Sequence, residues 1–392
     1  MVPAVPGRPH SRGGSVRWVT YWAAGIGLNG GRGNWFNILP REYETFRLLV
    51  DRGRRAKWWG RRAKWWRRRG STARGFRYEA FDGSRIVEEP ALGRIRSLVV
   101  PPAWSHVRIC PLVVGKVQAI GIDGSGRLQY IYHPKFVERQ QKIKFARIER
   151  FGRYMAELRQ VTNEHIALEG FPLEKVLAMM TRLINSLYIR MGTDKSVKQF
   201  RTYGITTLSR RHVSIAPKGR VVFEFVGKSH IKHKKVLVDP DFAALLNELL
   251  AQGKRGKLFQ YVNGDQKFRP VQPSQINAYI KSITAPEFTA KDFRTWGATY
   301  LAAVQLAEIG ASNDASVVQK NIVTVIKRVA EELGNTPAVC RLSYIHPCVL
   351  KAYAAGLTLP AFTPQRSKRA KRTEAAFEPG EMELLEMFER FR

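Results

Sequence analysis

The spacing of apolar residues changes near residue 140, and this change constrains the fold more than any other feature of the sequence. Before it, short apolar runs such as "SLVVPPAW", "VRICPLVVG" and "VQAIGIDGSGRLQYIYHP" are separated by Pro and by a Gly-Ser-Gly turn, as in β-strands. After it, apolar residues recur with the period of a helix. The sequence therefore predicts an α+β fold, with a small β-rich N-terminal domain before a mainly α-helical domain.

The clearest helical segment, "LEKVLAMMTRLINSLYIRMG", places four apolar side chains on one face: Val176, Met180, Leu183 and Leu187. This spacing predicts an amphipathic helix that packs into a core. Further helices are expected at about 241–251, 274–283, 291–307 and 321–333. Gly334 is expected to end the last of these, and Thr336 with Pro337 to begin another.

A small antiparallel sheet is predicted inside the helical domain, in the stretch "HVSIAPKGRVVFEFVGKSHIKHKKVLV". A Pro-Lys-Gly turn joins its first two strands, and a second turn follows Val226. Lys228 lies at this second turn, where its ammonium could project from the tip of a hairpin.

Four segments follow from these patterns: a basic extension at 1–74, the β-rich domain at 75–142, the helical domain at 143–362 and a charged tail at 363–392. The extension contains "GRRAKWW" twice in direct succession, at 53–59 and 60–66. Interleaved Arg and Trp could stack on bases or lie on a membrane surface, but the composition favours a disordered segment without a specific role. The tail is expected to hold a linker and a short docking helix.

The charge of the chain points to a polyanionic partner. Sixty-six Lys and Arg face 32 Asp and Glu, a formal net charge of +34, which suits nucleic acid far better than a small acidic substrate. The first 75 residues hold 17 basic and three acidic residues, so they contribute +14 and the remaining chain +20. The part expected to fold is therefore basic in its own right.

Two other classes of protein are disfavoured. No apolar run is long enough for a membrane span, and the N-terminus lacks the apolar core of a signal peptide, so we expect a soluble intracellular protein. The three cysteines, Cys110, Cys340 and Cys348, form no CxxC pair, which argues against a disulfide framework and against a zinc site.

The stretch "GNTPAVCRLSYIHP" holds several candidate reactive groups. Cys340 has no base nearby in sequence and is interpreted as a small buried hydrophobe, and His346 precedes a proline and is interpreted as structural. Tyr344 follows Arg341 by one helical turn and shares the segment with Asn335. Three cations on other elements could converge on it, although spacing alone leaves this open: Arg190, Lys228 and Arg294.

A second candidate site lies in the β-rich domain, in "LQYIYHP". Gln129 supplies an amide there, and Tyr130 and Tyr132 supply two phenols on the same face of a strand. Such a surface can read base edges in a major groove. Ordinary half-buried strand tyrosines are an equal alternative.

From about residue 75 to residue 359 the chain resembles the short bacterial and viral type IB DNA topoisomerases. The resemblance is carried by ordered motifs that include "RIRSLVVPPAW", "LQYIYHP", "KFARIERFG", "YIRMG", "FVGKS", "FTAKDFRTWGATYLA" and "LGNTPAVCRLSYIHPCVLKAY". It implies that Tyr344 is the nucleophile, Arg190 and Arg294 bind the phosphate, and Lys228 is the general acid. It also implies a phosphate contact from Asn335 and DNA contacts from the strand that holds Gln129, Tyr130 and Tyr132.

The residue types suit that chemistry. A phenol has a pKa near 10, so forming phenolate at pH 7 costs roughly 4 kcal/mol, a cost that neighbouring arginines lower. Forked guanidiniums can hold the charge that builds on a phosphodiester, and a lysine can protonate the departing 5′ oxygen. The resemblance thus implies a monomeric clamp around double-stranded DNA that needs no ATP, cofactor or metal, in the cytoplasm at the nucleoid.

Two positions depart from the family pattern. Asn335 stands where many members carry a histidine, and Ser196 stands where a tyrosine is usual. Two alternatives stay open at this point. A tyrosine recombinase would share the Arg, Lys, Arg, Tyr set, although such enzymes usually carry a histidine where this chain has Lys291. A non-catalytic basic DNA-binding protein would use the charge alone.

Overall fold

The computed structural model describes residues 65–252, 256–264, 267–359 and 377–390, and the chain divides into a unit that ends at Gln140 and a unit that begins at Gln141. The expected α+β fold is confirmed. None of the helices within these ranges is both long enough and apolar enough to cross a membrane.

The first unit contains a five-stranded antiparallel sheet in the order β2-β1-β3-β4-β5. Its strands are β1 (Trp66–Ser71), β2 (Gly75–Glu79), β3 (Ser105–Ile109), β4 (Val117–Ile122) and β5 (Leu128–Tyr132). Helix α1 (Glu89–Ser97) contributes Ile95 to one apolar cluster, which also contains Ile109 and Ile131. A separate cluster forms around Trp65 and Ile120. Successive side chains of a strand point to opposite faces of the sheet, so the first unit has two separate small cores.

Strand β1 corrects one prediction from the sequence. The composition predicts that residues 66–71 belong to the disordered extension, but β1 pairs with β2 and with β3 and so lies inside the sheet. The sequence does not predict this strand, because a run of Arg is typical of a solvent-exposed segment. Arg68 instead donates to the carbonyl of Pro101 at 3.1 Å and places its guanidinium 4.2 Å from the Phe76 ring centroid. The rest of the extension, residues 1–64, lies outside the described residues.

The remainder of the described chain is mainly helical. Its helices are α2 (Pro134–Gly152), α3 (Met155–Ile166), α4 (Leu173–Leu187), α5 (Asp194–Phe200), α6 (Pro240–Gln252), α7 (Pro273–Ile283), α8 (Ala290–Ile309), α9 (Ala315–Leu333), α10 (Pro337–Ser343), α11 (Pro347–Ala354) and α12 (Glu381–Arg390). The predicted sheet forms from β6 (Val213–Ala216), β7 (Arg220–Val226) and β8 (Lys232–Val238), all antiparallel. A short hairpin pairs β9 (Gln260–Val262) with β10 (Phe268–Pro270).

Helix α4 lies at the centre of the second unit. The four side chains predicted to line its apolar face are all buried: Val176, Met180, Leu183 and Leu187. The helix ends at Tyr188, which adopts the left-handed conformation with φ 54° and ψ 30° and turns the chain towards Arg190. Gly297 on α8 makes room for this turn, because a Cβ there would lie 2.0 Å from Cε1 of Tyr188.

The predicted helix ends are largely confirmed. Gly334 ends α9 in the left-handed conformation, and Thr336 caps α10 by accepting from the Val339 N–H at 3.3 Å. Helix α9 begins earlier than expected, because Asp314 caps it by accepting from the Ser316 N–H at 2.7 Å.

The last described segment, residues 377–390, packs into the core of the second unit. The expected short helix is present as α12, but its apolar side chains belong to the main core, including Leu384 and Phe388. Glu381 is 2% exposed, and its carboxylate accepts from both terminal nitrogens of Arg159 at 2.7 and 2.8 Å. The Trp296 indole also donates to it at 3.2 Å. Helix α12 therefore anchors to α3 and α8.

Candidate active site

Arg190 follows the left-handed turn at the end of α4 and reaches the turn after α9. Its Nη2 donates to Asn335 Oδ1 at 2.6 Å and to the Gly334 carbonyl at 3.2 Å. Burial lowers the pKa of this guanidinium, and the neighbouring Tyr344 phenol partly offsets that effect. The capping geometry of two helices thus fixes a cation in a largely buried position.

Arg294 lies in the second turn of α8 and is 4% exposed. It donates through Nη1 to the Tyr188 carbonyl and through Nη2 to the Leu333 carbonyl, the latter at 2.8 Å. These are the carbonyls at the ends of α4 and α9, which favour a positive charge. Burial, followed by the charge of Arg190, lowers the pKa of the Arg294 guanidinium.

Tyr344 ends helix α10 beside Arg294. The Arg294 guanidinium carbon lies 5.4 Å from the centroid of the Tyr344 ring, and the charges of Arg294 and Arg190 both act on the phenol. Burial raises the pKa of the phenol, but the charges of Arg294 and then Arg190 outweigh it, so the net pKa is below the usual value. A phenol with a lowered pKa beside two guanidiniums can act as an oxygen nucleophile.

The backbone around Tyr344 is attached to helix α8 through one side chain. Thr299 Oγ1 accepts from the His346 N–H at 3.1 Å, and its one proton is shared between the Thr295 carbonyl at 2.8 Å and the Tyr344 carbonyl at 3.1 Å. Because Arg294 lies on the same helix, the phenol and this guanidinium share one rigid support.

The oxygen and the nitrogen of the Asn335 side-chain amide differ in their contacts. Its N–H donates to the Ala330 carbonyl at 2.8 Å, which completes the cap of α9, and its Oδ1 accepts from Arg190. Its Nδ2 is buried and has no hydrogen-bond partner among the described residues. A buried amide donor without a protein acceptor suits an oxygen of a ligand.

Lys228 lies at the tip of the β7–β8 hairpin, where the sequence placed it. The Gly227 N–H donates to the Ile231 carbonyl at 2.8 Å and closes the turn, in which Ser229 and His230 have φ of 63° and 58°. The Lys228 side chain is exposed and lines one cavity together with Arg190 and Arg294. Direct contacts thus join Arg190 to Asn335 and Arg294 to Tyr344, and one cavity is lined by Arg190, Arg294 and Lys228.

The other candidates in the same segment are structural, as expected. Cys340 is fully buried, and burial raises the pKa of its thiol to about 12. His346 caps α11 by accepting from the Cys348 N–H at 3.1 Å, and its ring centroid lies 4.5 Å from that of Phe388. Burial and the nearby Lys144 lower the pKa of His346 to about 4.

Sequence reasoning missed Lys144 on helix α2. Its ammonium donates to the carbonyl of Ser343, the residue before Tyr344, and lies 5.7 Å from the centroid of the Tyr344 ring. Burial, then Lys291 and Arg147, lower the pKa of Lys144 to about 8. Lys144 occurs within the "KIKFARIERFG" stretch, but periodicity treats it as one more surface lysine of an amphipathic helix.

The candidates in the first unit do not form one surface. Tyr130 and Tyr132 share a face of β5, with ring centroids 5.9 Å apart, and pack against the cluster around Trp65. The pleat places Gln129 on the opposite face, where its amide donates to Asp123 Oδ2 at 2.8 Å. Both tyrosine rings are half-buried.

Comparisons with known proteins bear on the family of this chain. A family model described as "Eukaryotic DNA topoisomerase I, catalytic core" matches residues 133–358, and one described as "Bacterial DNA topoisomerase IB, N-terminal domain" matches residues 75–123. DNA topoisomerase 1B of Acanthamoeba polyphaga mimivirus is 30% identical over 71% of this chain and 84% of its own length. DNA topoisomerase 1B of vaccinia virus (strain Copenhagen) is 24% identical over 59% and 71%.

Among solved structures, the XerH site-specific recombinase bound to its difH substrate matches with a TM-score of 0.31 and 15% identity, over 49% of this chain and 48% of that one. A likeness at that TM-score carries no argument about fold or function.

Proposed function

Because the chain belongs to the type IB DNA topoisomerases, we propose that it relaxes supercoiled duplex DNA by cutting one strand, letting it swivel and resealing it. The enzyme is an isomerase. The observation that carries the proposal is the position of the Arg294 guanidinium, 5.4 Å from the centroid of the Tyr344 ring. Its charge and that of Arg190 lower the pKa of the phenol against the effect of burial.

Tyr344 is proposed as the nucleophile. A bond forms between its phenolic oxygen and phosphorus while the bond between phosphorus and the 5′ oxygen breaks, and the phenol proton passes to water. The product is a 3′-phosphotyrosine with a free 5′ hydroxyl. One phosphodiester replaces another, so the bond energy is conserved and religation needs no ATP.

Arg190, Arg294 and Asn335 are proposed to hold the phosphate. Charge builds on the nonbridging oxygens in the transition state, and fixed guanidiniums stabilise it without reorganising. The buried Asn335 Nδ2, which lacks an acceptor among the described residues, would donate to one of these oxygens.

Lys228 is proposed as the general acid. The 5′ oxygen leaves as an alkoxide unless it receives a proton, and an ammonium within reach can supply one. The hairpin tip brings this lysine to the cavity that Arg190 and Arg294 line.

The DNA partner and its mode of binding rest on charge and on the first unit. A net charge of +34 suits duplex DNA, and the half-exposed rings of Tyr130 and Tyr132 are proposed to contact it. We further propose that a monomer closes around the duplex as a clamp, and that the protein acts in the cytoplasm at the nucleoid.

The test combines a relaxation assay with detection of covalent protein–DNA adducts. Wild-type protein should relax supercoiled plasmid without ATP and form an adduct. Tyr344→Phe removes one oxygen and should bind DNA normally while losing both activities. Cys340→Ala, which leaves every proposed site residue in place, should keep them. Adduct formation by Tyr344→Phe, or strand exchange in place of relaxation, would contradict the proposal.

A further inference from the structure

The imidazole of His233 lies between two glycines that each precede a proposed site residue. Gly227 precedes Lys228 at the hairpin tip, and Gly334 precedes Asn335 at the end of α9. A Cβ on Gly227 would lie 2.5 Å from Cδ2 of His233, and a Cβ on Gly334 would lie 2.3 Å from Cε1 of the same ring. One ring therefore excludes a side chain at both positions.

Backbone conformation does not account for the glycine at position 227. Gly227 has φ −94° and ψ −169°, an extended conformation that any residue adopts. Gly334, with φ 61°, lies in the left-handed region that favours glycine at a helix end in any case. At position 227, therefore, glycine is required by the His233 ring and not by the backbone conformation.

The ring is held in place by its surroundings. His233 pairs with Phe225 across the β7–β8 hairpin, and the two ring centroids lie 5.1 Å apart with an interplanar angle of 28°. Two residues further along β8, Lys235 donates to the carbonyl and to the carboxylate of Glu332, near the end of α9. Strand β8 therefore contacts the end of helix α9 through His233 and Lys235, whose side chains lie on the same face of the strand.

The charge state of His233 points to a geometric role. Burial, then the positive charges of Arg190, Lys235 and Arg294, lower the pKa of this imidazole to about 4. The ring is neutral at neutral pH, so it adds no charge to the cavity that it lines with both arginines and Lys228. It can fill space between the hairpin and the helix end without repelling the cations.

We propose that His233 is a positioning residue, which fixes the separation between the hairpin tip that bears Lys228 and the turn that bears Asn335. The inference rests on the proposed function, because it assigns His233 no contact with DNA and lets it act only through those two residues. Its effect should be largest on the protonation of the leaving oxygen, since Gly227, which contacts the ring, directly precedes Lys228.

The first experiment is a double-mutant cycle on single-turnover cleavage. Gly227→Ala places a methyl group against the ring and should slow cleavage by about tenfold or more, because small displacements of a catalytic group are costly. His233→Ala removes the obstacle, so adding Gly227→Ala to it should cost much less than in the wild type. Such coupling is expected between groups in contact, whereas independent sites add.

The second experiment uses a DNA substrate with sulfur in place of the scissile 5′ oxygen. A thiol has a far lower pKa than an alcohol, so this leaving group needs no proton. The defects of His233→Ala and Gly227→Ala should shrink on the sulfur substrate. Leu249→Ala, a core variant in α6, provides a matched loss of stability and should show no such relief.

The possible outcomes separate the two proposals. Absence of an adduct from the wild type would sink the proposed function itself. The role of His233 is wrong if the wild type is active, the effects of Gly227→Ala and His233→Ala on the cleavage rate add, and the sulfur substrate reduces neither defect. If His233→Ala does not fold, the sulfur comparison on Gly227→Ala decides: relief supports positioning of Lys228, and an unchanged defect rejects it.

Discussion

The Asn335 side chain accepts a hydrogen bond from Arg190 through Oδ1 at 2.6 Å, while Nδ2 on the same amide is buried without a partner among the described residues. One end of the amide therefore orients a guanidinium, and the other is the donor that we propose for a phosphate oxygen.

Substitution of Asn335 tests both ends of the amide. Asn335→Ala should slow single-turnover cleavage by about 10² to 10³, the usual cost of removing one donor to a developing oxyanion. Asn335→Asp keeps an acceptor for Arg190 but replaces the donor with negative charge, so it should be slower still. Asn335→His should restore part of the rate. Equal rates for the Asp and Ala variants would argue against a phosphate contact.

Lys228→Ala tests the general acid. With ordinary DNA, cleavage should slow by about 10² to 10⁴, and binding should barely change. With sulfur at the scissile 5′ position the variant should approach wild-type cleavage, whereas Arg190→Ala and Arg294→Ala should stay slow, because they hold charge on the phosphate. If sulfur relieves the arginine variants equally, or none of the three, Lys228 is not the acid.

The pKa of Lys144 predicts a pH-dependent contribution to stability. Burial and nearby cations lower this pKa to about 8, below the value near 10.4 of an unfolded chain. Between these values the unfolded chain binds more protons, so the lysine destabilises the fold most below pH 8 and least above pH 10. The gain in unfolding free energy from Lys144→Met, relative to wild type, should thus fall as pH rises through this window.

Urea unfolding at pH 7 and pH 9.5 would measure this difference, with Lys142→Met, an exposed lysine on the same helix, as the baseline for removing one positive charge. A difference between Lys144→Met and wild type that does not change with pH would contradict the prediction.

Glu381→Ala tests the anchoring of α12. The substitution removes the buried partner of Arg159, which keeps the more exposed Glu378 at 3.9 Å, and breaking a buried pair typically costs about 3–5 kcal/mol. The free energy of unfolding should fall by that order. Glu386 is exposed on the same helix, and Glu386→Ala should change stability little. Similar losses for the two variants would show that α12 is held by its apolar face alone.

Two deletions test where the extension ends. Residues 1–64 contain 13 basic and three acidic residues, so their removal leaves a net charge of +24 and an intact β1. This deletion should keep relaxation activity but bind nonspecific DNA more weakly and with a shallower salt dependence. Deletion of residues 1–74 also removes β1 from between β2 and β3 and should destabilise the first unit. Equal stability of the two proteins would contradict the role of β1.

Local chemistry made part of this structure predictable. The β7–β8 hairpin, the apolar face of α4 and the Gly334 cap follow from turn residues and periodicity, and each is confirmed. The proposed roles of the site residues come from the resemblance of motifs and stay predictions. The convergence of Arg190 and Arg294 did not follow from the residues alone, because it depends on contacts between elements distant in sequence.

Two features that the sequence did not predict, strand β1 and the buried Lys144, have a common physical cause. Strand β1 and Lys144 both bury the stem of a long cationic side chain while its nitrogen donates to backbone carbonyls. A hydrophobicity pattern counts such residues as solvent-exposed, so it cannot distinguish them from the many surface cations of a chain with this charge.

The hydrogen bonds of Thr299 have a consequence for the interval between the proposed cutting and resealing steps. In the proposed intermediate a DNA end is bonded to Tyr344, and Thr299 keeps the backbone beside that residue attached to helix α8, which also carries Arg294. The bonded end and this guanidinium should then stay together while the free strand rotates. On this mechanism religation needs only the return of the 5′ hydroxyl, so the number of turns released per event should depend on torque and friction in the DNA rather than on reassembly of the protein.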